Sequence, residues 1–104
     1  MAINPSSGEF ITLAEAQSYV LEYRKIYPTA IKGYFAGVEK LNLILEQTDC
    51  IGLRIYNGYS LAENTTNLVI VGVNSRELDM TEGLILERLD PCPSQCDVTS
   101  SLYS

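Results

Sequence analysis

The residues most able to do chemistry are three cysteines, Cys50, Cys92 and Cys96. Cys92-Pro93-Ser94-Gln95-Cys96 is a Cys-x-x-x-Cys pair. With Cys50 it offers three thiolates to zinc, and Asp90, Asp97 or water would have to complete the usual four ligands. A disulfide between Cys92 and Cys96 would close a very short loop, and a reducing compartment opposes it. Thioredoxin-like chemistry needs Cys-x-x-Cys at a helix start, and that spacing is absent. The expectation is three unbonded cysteines, with Cys50 semi-buried in a strand and no cofactor; the alternatives are the Cys92–Cys96 disulfide and, after it, zinc.

There is no histidine, which removes the commonest general base and the commonest zinc ligand. No Ser/His or Cys/His pair can exist. Gly33 and Gly37 lack the spacing of a phosphate loop and its Lys-Ser/Thr. The carboxylates fall mostly on polar helix faces and in turns. No catalytic set is recognisable, so the chain is read as a non-enzyme. Two further features remain. Arg54 and Tyr56 share one strand face and, with Gly52, could form a shallow anion platform. Alternation alone predicts instead that they are polar residues on a wet face, pairing with a nearby acid. Tyr is an apolar body with a polar tip and suits interfaces. Tyr34, Tyr56 and Tyr59 are the interface candidates, whereas Tyr23 and Tyr27 read as core positions of a helix.

The elements that must hold these residues follow from periodicity. Residues 1–11 read as a loose arm that Phe10 and Ile11 would dock. Thr12-Leu13-Ala14-Glu15 is a capping box. Leu13, Ala16, Val20, Tyr23 and Tyr27 then share a helix face, and Pro28 ends the helix. Residues 29–37 suggest a connection with a short extended piece. A second helix is expected from Val38 to Gln47, with Val38, Leu41 and Leu45 on one face and Leu43 and Ile44 widening it.

From Asp49 the period becomes two. Ile51, Leu53 and Ile55 alternate with Gly52, Arg54 and Tyr56, and Asn57-Gly58 reads as the turn that closes the strand. Leu68 to Val73 is a continuous apolar strand after a polar loop. Asn74 to Asp79 is a turn, and a third strand is expected near 84–87. Pro91 and Pro93 stop regular structure, leaving 90–104 as an irregular tail.

The sum is one α+β domain over 1–104, with two N-terminal helices packed on one face of a small antiparallel sheet. Val69, Val71 and Val73 project from one side of the apolar strand, Leu68 and Ile70 from the other. Such strands are usually covered on both sides. The helices can cover one, so the tail or a second copy must cover the other. Gly52 and Gly72 would let such a segment approach closely.

This order of motifs resembles a group of small bacterial proteins. The shared pattern is like Cys-x-Gly-x-Arg-x-Tyr-x-Gly (from Cys50), Val-Gly-Val (71–73), Asp79-Met80 and Cys-Pro-x-x-Cys (92–96). The resemblance covers roughly residues 12–96. It implies a recurring small domain and carries over no activity and no catalytic residue.

Composition bounds the partners. The chain has 104 residues, 46% of them hydrophobic, so it can build a core. Its net charge of −6 would be repelled by phosphate backbones, so no nucleic-acid partner is expected. No apolar run approaches the roughly 18–20 residues of a membrane span. The start of the sequence lacks the pattern of a secretory signal, and three cysteines fit a reducing compartment, so a cytoplasmic location is expected. The leading reading is a non-catalytic interaction or assembly protein that forms a homo-oligomer through Arg54, Tyr56, Tyr59, Leu68 and Ile70. The alternatives are an acidic regulatory protein of immunity or antitoxin type that captures a basic protein partner, and a cysteine-based metal or redox protein.

Overall fold

The computed structural model describes residues 2–103. The chain is α+β, with two helices and antiparallel sheets, in the order α1 (Leu13–Ile26), β1 (Gly33–Phe35), α2 (Val38–Leu45), β2 (Cys50–Ser60), β3 (Thr65–Asn74), β4 (Ile85–Leu86) and β5 (Asp90–Cys92). The residues expected to make one domain fall into two compact units. The first joins Met1–Ser7 to Ala36–Leu89, and the second joins Gly8–Phe35 to Asp90–Ser104.

The first unit is a three-stranded antiparallel sheet, β2-β3-β4, with α2 against β2 and β3. Its strands 2 and 3 form a hairpin in which Tyr56 pairs with Val69, Ile55 with Ile70 and Arg54 with Val71. Asn57-Gly58 is not the turn. The strand runs through it to Ser60, and the chain reverses at 61–64, where Asn64 takes a φ of 56°. Gly58 is there for space. Asn67 stands opposite it, and the Asn67 side-chain oxygen lies where a Cβ at Gly58 would sit.

The core is small and lies on both faces of β3. Ile44, Ile70, Val71 and Val73 are the buried hydrophobic side chains among the described residues. The α2 face is centred on Ile44. Val38 and Leu45, expected to point inward, are 68% and 44% exposed. Gly72 does permit a close approach, but by the end of α2 and not by the tail. A Cβ there would meet Gln47 at 3.0 Å, Cys50 at 3.1 Å and Ile44 at 3.3 Å. Gln47 fastens this corner by donating to the Ile44 carbonyl at 2.9 Å and accepting from the Leu84 amide at 3.0 Å.

The face expected to await the tail or a second copy was that of Leu68 and Ile70, and it is the one α2 meets through Ile44. The Val71 and Val73 side is buried as well. Val71 stands beside Arg54 and Ile85 in the register, and Val73 beside Asp79. Ile3 and Pro5 line a hollow with Leu53 and Val73. The arm is held there by Ile3, whose amide donates to Glu77, and by a turn in which the Ser7 amide donates to the Asn4 carbonyl. Phe10 and Ile11 do not dock it, since Phe10 is fully exposed and Ile11 half-exposed.

The second unit contains α1 and a two-stranded sheet of β1 and β5. Helix α1 starts as its sequence predicts. The Thr12 hydroxyl accepts from the Glu15 amide at 3.1 Å, and the Glu15 carboxylate accepts from the Thr12 hydroxyl. At the far end the Tyr27 amide closes the last turn on the Tyr23 carbonyl, just before Pro28. No residue of α1 is buried, so Tyr23 and Tyr27 are not core residues. Their rings lean on each other with centroids 5.0 Å apart. Residues 90–104 are not wholly irregular, because β5 pairs Tyr34 with Pro91 and Gly33 with Cys92. A sheet of two strands has only edges, and an edge tolerates a residue without an N–H.

Candidate functional site

The strand face carrying Arg54 and Tyr56 is the most organised polar site of the first unit. Residues two apart on a strand project from the same side. The 74–79 turn brings Asp79 to meet them. Asn74 organises that turn through its side-chain oxygen, which accepts from the amides of Arg76 at 2.9 Å and Leu78 at 3.1 Å. Glu77 adopts a φ of 66°, and the Met80 amide returns to the Gly72 carbonyl. One carboxylate then holds both partners, Arg54 Nη1 donating to Asp79 Oδ1 and the Tyr56 hydroxyl to Oδ2.

This clasp is electrostatically settled. The Tyr56 hydroxyl, and after it Arg54, hold the Asp79 carboxyl below its usual value, while desolvation works the other way. The bond to Asp79 raises the Tyr56 phenol above 10, with desolvation helping. The same carboxylate raises Arg54. A carboxyl made more acidic and a phenol made less acidic neither give nor take protons near neutral pH. Arg54 already has its counter-ion in Asp79. Asp79 is the residue the alternation of β2 could not name, although its place beside Met80 after a turn was visible.

The other interface candidates separate. The Tyr59 hydroxyl donates to the Asn64 side chain at 2.8 Å across the hairpin end, and its ring is 55% exposed. Tyr34 belongs to β1 of the second unit and is half-buried. Leu68 is half-buried, and Ile70 is only 4% exposed. Ile70 is thus a core residue of its own unit, on the side of β3 where Gly72 meets Ile44 of α2.

The cysteines also separate. Cys92 and Cys96 are joined in a disulfide, which corrects the expectation of three unbonded thiols. The turn accounts for it. The Gln95 amide donates to the Pro91 carbonyl at 2.8 Å, and the two Cα atoms come within 4.9 Å, inside the span a disulfide bridges. Cys50 is free, and its thiol donates to the Gly52 carbonyl. No group of three or more Cys, Asp or Glu residues among the described residues is placed to hold a metal ion.

Around the disulfide the second unit forms an open hollow of about 220 Å³, lined by Arg24, Lys32, Tyr34, Cys92, Cys96 and Tyr103. Its cations are engaged. Lys32 stands 4.2 Å above the Tyr103 ring, and Arg24 donates to the Leu102 carbonyl. Asp97 is held below its usual value by the Thr99 hydroxyl and amide. The first two of these contacts tie the last described residues to Lys32, just before β1, and to α1.

Comparison with family models, curated proteins and solved structures decides what can be carried over. Nothing matches. The functional reading therefore rests on this chain's own residues. Among the described residues no helix is long and apolar enough to cross a membrane.

Proposed function

We propose that this chain is a non-catalytic interaction protein that assembles with copies of itself. The observation that carries the reading is how little apolar surface the chain buries alone. Among the described residues four hydrophobic side chains are buried, while Leu13, Tyr19, Ile26, Tyr27, Ile55 and Leu61 are each more than half exposed. Scattered exposed apolar residues are ordinary, but a core this small is marginal for a chain of this length. Burial of a Leu or Ile is worth roughly 1.5–3 kcal/mol, so covering several by association is a large gain. The settled proton inventory of the Arg54–Asp79–Tyr56 clasp supports a structural role for that site over an acid–base one.

Like-charged copies repel, and physiological salt screens this beyond about 8 Å. Light scattering on the purified chain at tens of micromolar tests the reading. A dimer or larger mass is expected, and a monomer would sink it. A cytoplasmic placement stays a proposal, and the Cys92–Cys96 bond works against it by removing the ground of three unpaired cysteines. Cytoplasmic thiol systems keep most such pairs reduced, so a pair found oxidised in protein trapped directly from cells would move the chain to an oxidising compartment.

A further inference from the structure

The two edges of the three-stranded sheet differ. The outer edge of β4 is two residues long and is followed by Glu87 and by Arg88, which has a φ of 60°. The outer edge of β2 is eleven residues long, and no strand among the described residues pairs with it. Natural edges are blunted by Lys, Pro, bulges or shortness. Between Gly52 and Ser60, β2 has no Lys and no Pro, and its register break lies at the Cys50/Gly52 end. Its one charge, Arg54, is already neutralised by Asp79.

We propose that β2 pairs antiparallel with β2 of a second copy, about a two-fold axis at Asn57, to make a continuous six-stranded sheet. The proposal rests on the self-association reading and names its surface. The sequence of β2 is self-complementary in this register. Ile55, 56% exposed, lies opposite Tyr59 of the second copy, 55% exposed, and the symmetry makes this contact twice. Aromatic and β-branched residues are favourable cross-strand partners. Tyr56 lies opposite Gly58, which presents no side chain against it, and Arg54 lies opposite Ser60. A two-fold axis at Tyr56 instead would set Ile55 against Asn57 and give Tyr59 the half-buried Leu53, leaving the more exposed Ile55 without an apolar partner.

Charge selects the same occupant. The chain carries −6, yet β2 contains no carboxylate. Two copies can approach here without setting acids opposite one another. A strand whose one charge is a paired arginine has nothing with which to prefer a basic partner. Two-fold dimers are also the commonest closed assembly, and they require a patch that matches itself.

Asn57 is exposed and would face its own copy on the axis, which makes it the residue to test. Light scattering would compare the native chain with Asn57→Lys, Asn57→Glu and an equimolar mixture of the two. The native chain is expected as a dimer, each variant alone at half that mass, and the mixture as a dimer again. A monomeric native chain overturns self-association altogether. A dimeric native chain whose two variants both stay dimeric keeps self-association but overturns the β2 pairing. A monomer that instead takes up an extended peptide at this edge overturns the second copy as occupant. Should a charged variant lose its circular dichroism, Ile55→Thr carries the test. Weakening both Ile55–Tyr59 contacts should raise the dissociation constant about tenfold, and an unchanged constant overturns the register.

Discussion

The two units of this chain are held by different physics. Among the described residues, all the buried hydrophobic side chains lie in the first, where Ile44 of α2 meets the centre of β3. The second has no buried residue among those described, and is fastened by a disulfide, the Lys32–Tyr103 contact and a three-residue strand pair. A segment that buries little must restrict its chain by other means, and cross-links are the usual remedy in small structures. One unit should therefore respond to packing changes and the other to thiol chemistry.

The sharpest way to break that contrast is to attack the core. Ile44→Ala should destabilise the first unit by about 2–5 kcal/mol, the range for emptying a packed Ile site. Denaturant unfolding would show a lower midpoint, and an unchanged midpoint would mean that Ile44 is not the centre of the core. Next in size, replacing both Cys92 and Cys96 by Ser should cost about 2 kcal/mol, from the loss of a short loop closure. Amide exchange should then accelerate in β1 and β5 while β2 and β3 keep their protection. Loss of protection in all four strands would end the distinction between the units.

The smallest expected effect sharpens the contrast within the first unit. The Asp79 carboxyl is lowered by Tyr56 and Arg54, so its contribution is present above its ordinary value of 3.8 and is lost as pH falls through the lowered one. Tyr56 is raised above 10, so its contribution is present below 10 and lost as pH climbs through the higher value. Asp79→Asn should flatten the melting midpoint at both ends of the pH range. Parallel profiles for the native chain and the variant would show that the clasp does not contribute.

Much of the local structure was legible in the sequence. The Thr12/Glu15 cap, the stop at Pro28, the strand from Cys50 and the apolar strand at 68–73 each follow from near neighbours. What escaped depends on residues far apart in the chain. Asn57-Gly58 has turn chemistry, but Gly58 is selected by Asn67 across the hairpin, which no local rule sees. Pro91 looks like a stop until β1 is known to be its partner. The exposed face of α1 looks like a core face, because an apolar stripe records what can be buried and not what covers it. Arg54 and Tyr56 were rightly placed on one polar face, but their shared acid comes from a turn more than twenty residues later.

The order of the two units along the chain has a consequence for how the protein emerges during synthesis. Strands β2 and β3 are neighbours across a short turn and can zip together as soon as both have left the ribosome. Strand β1 is made before either of them, yet its partner β5 is made after both. Nascent Gly33–Phe35 must therefore wait, unpaired, while the whole hairpin is completed. Closing that long loop carries an entropic cost that the hairpin does not meet. The disulfide sits at the place where the late pairing must be made to last, since Cys92 is the β5 residue opposite Gly33.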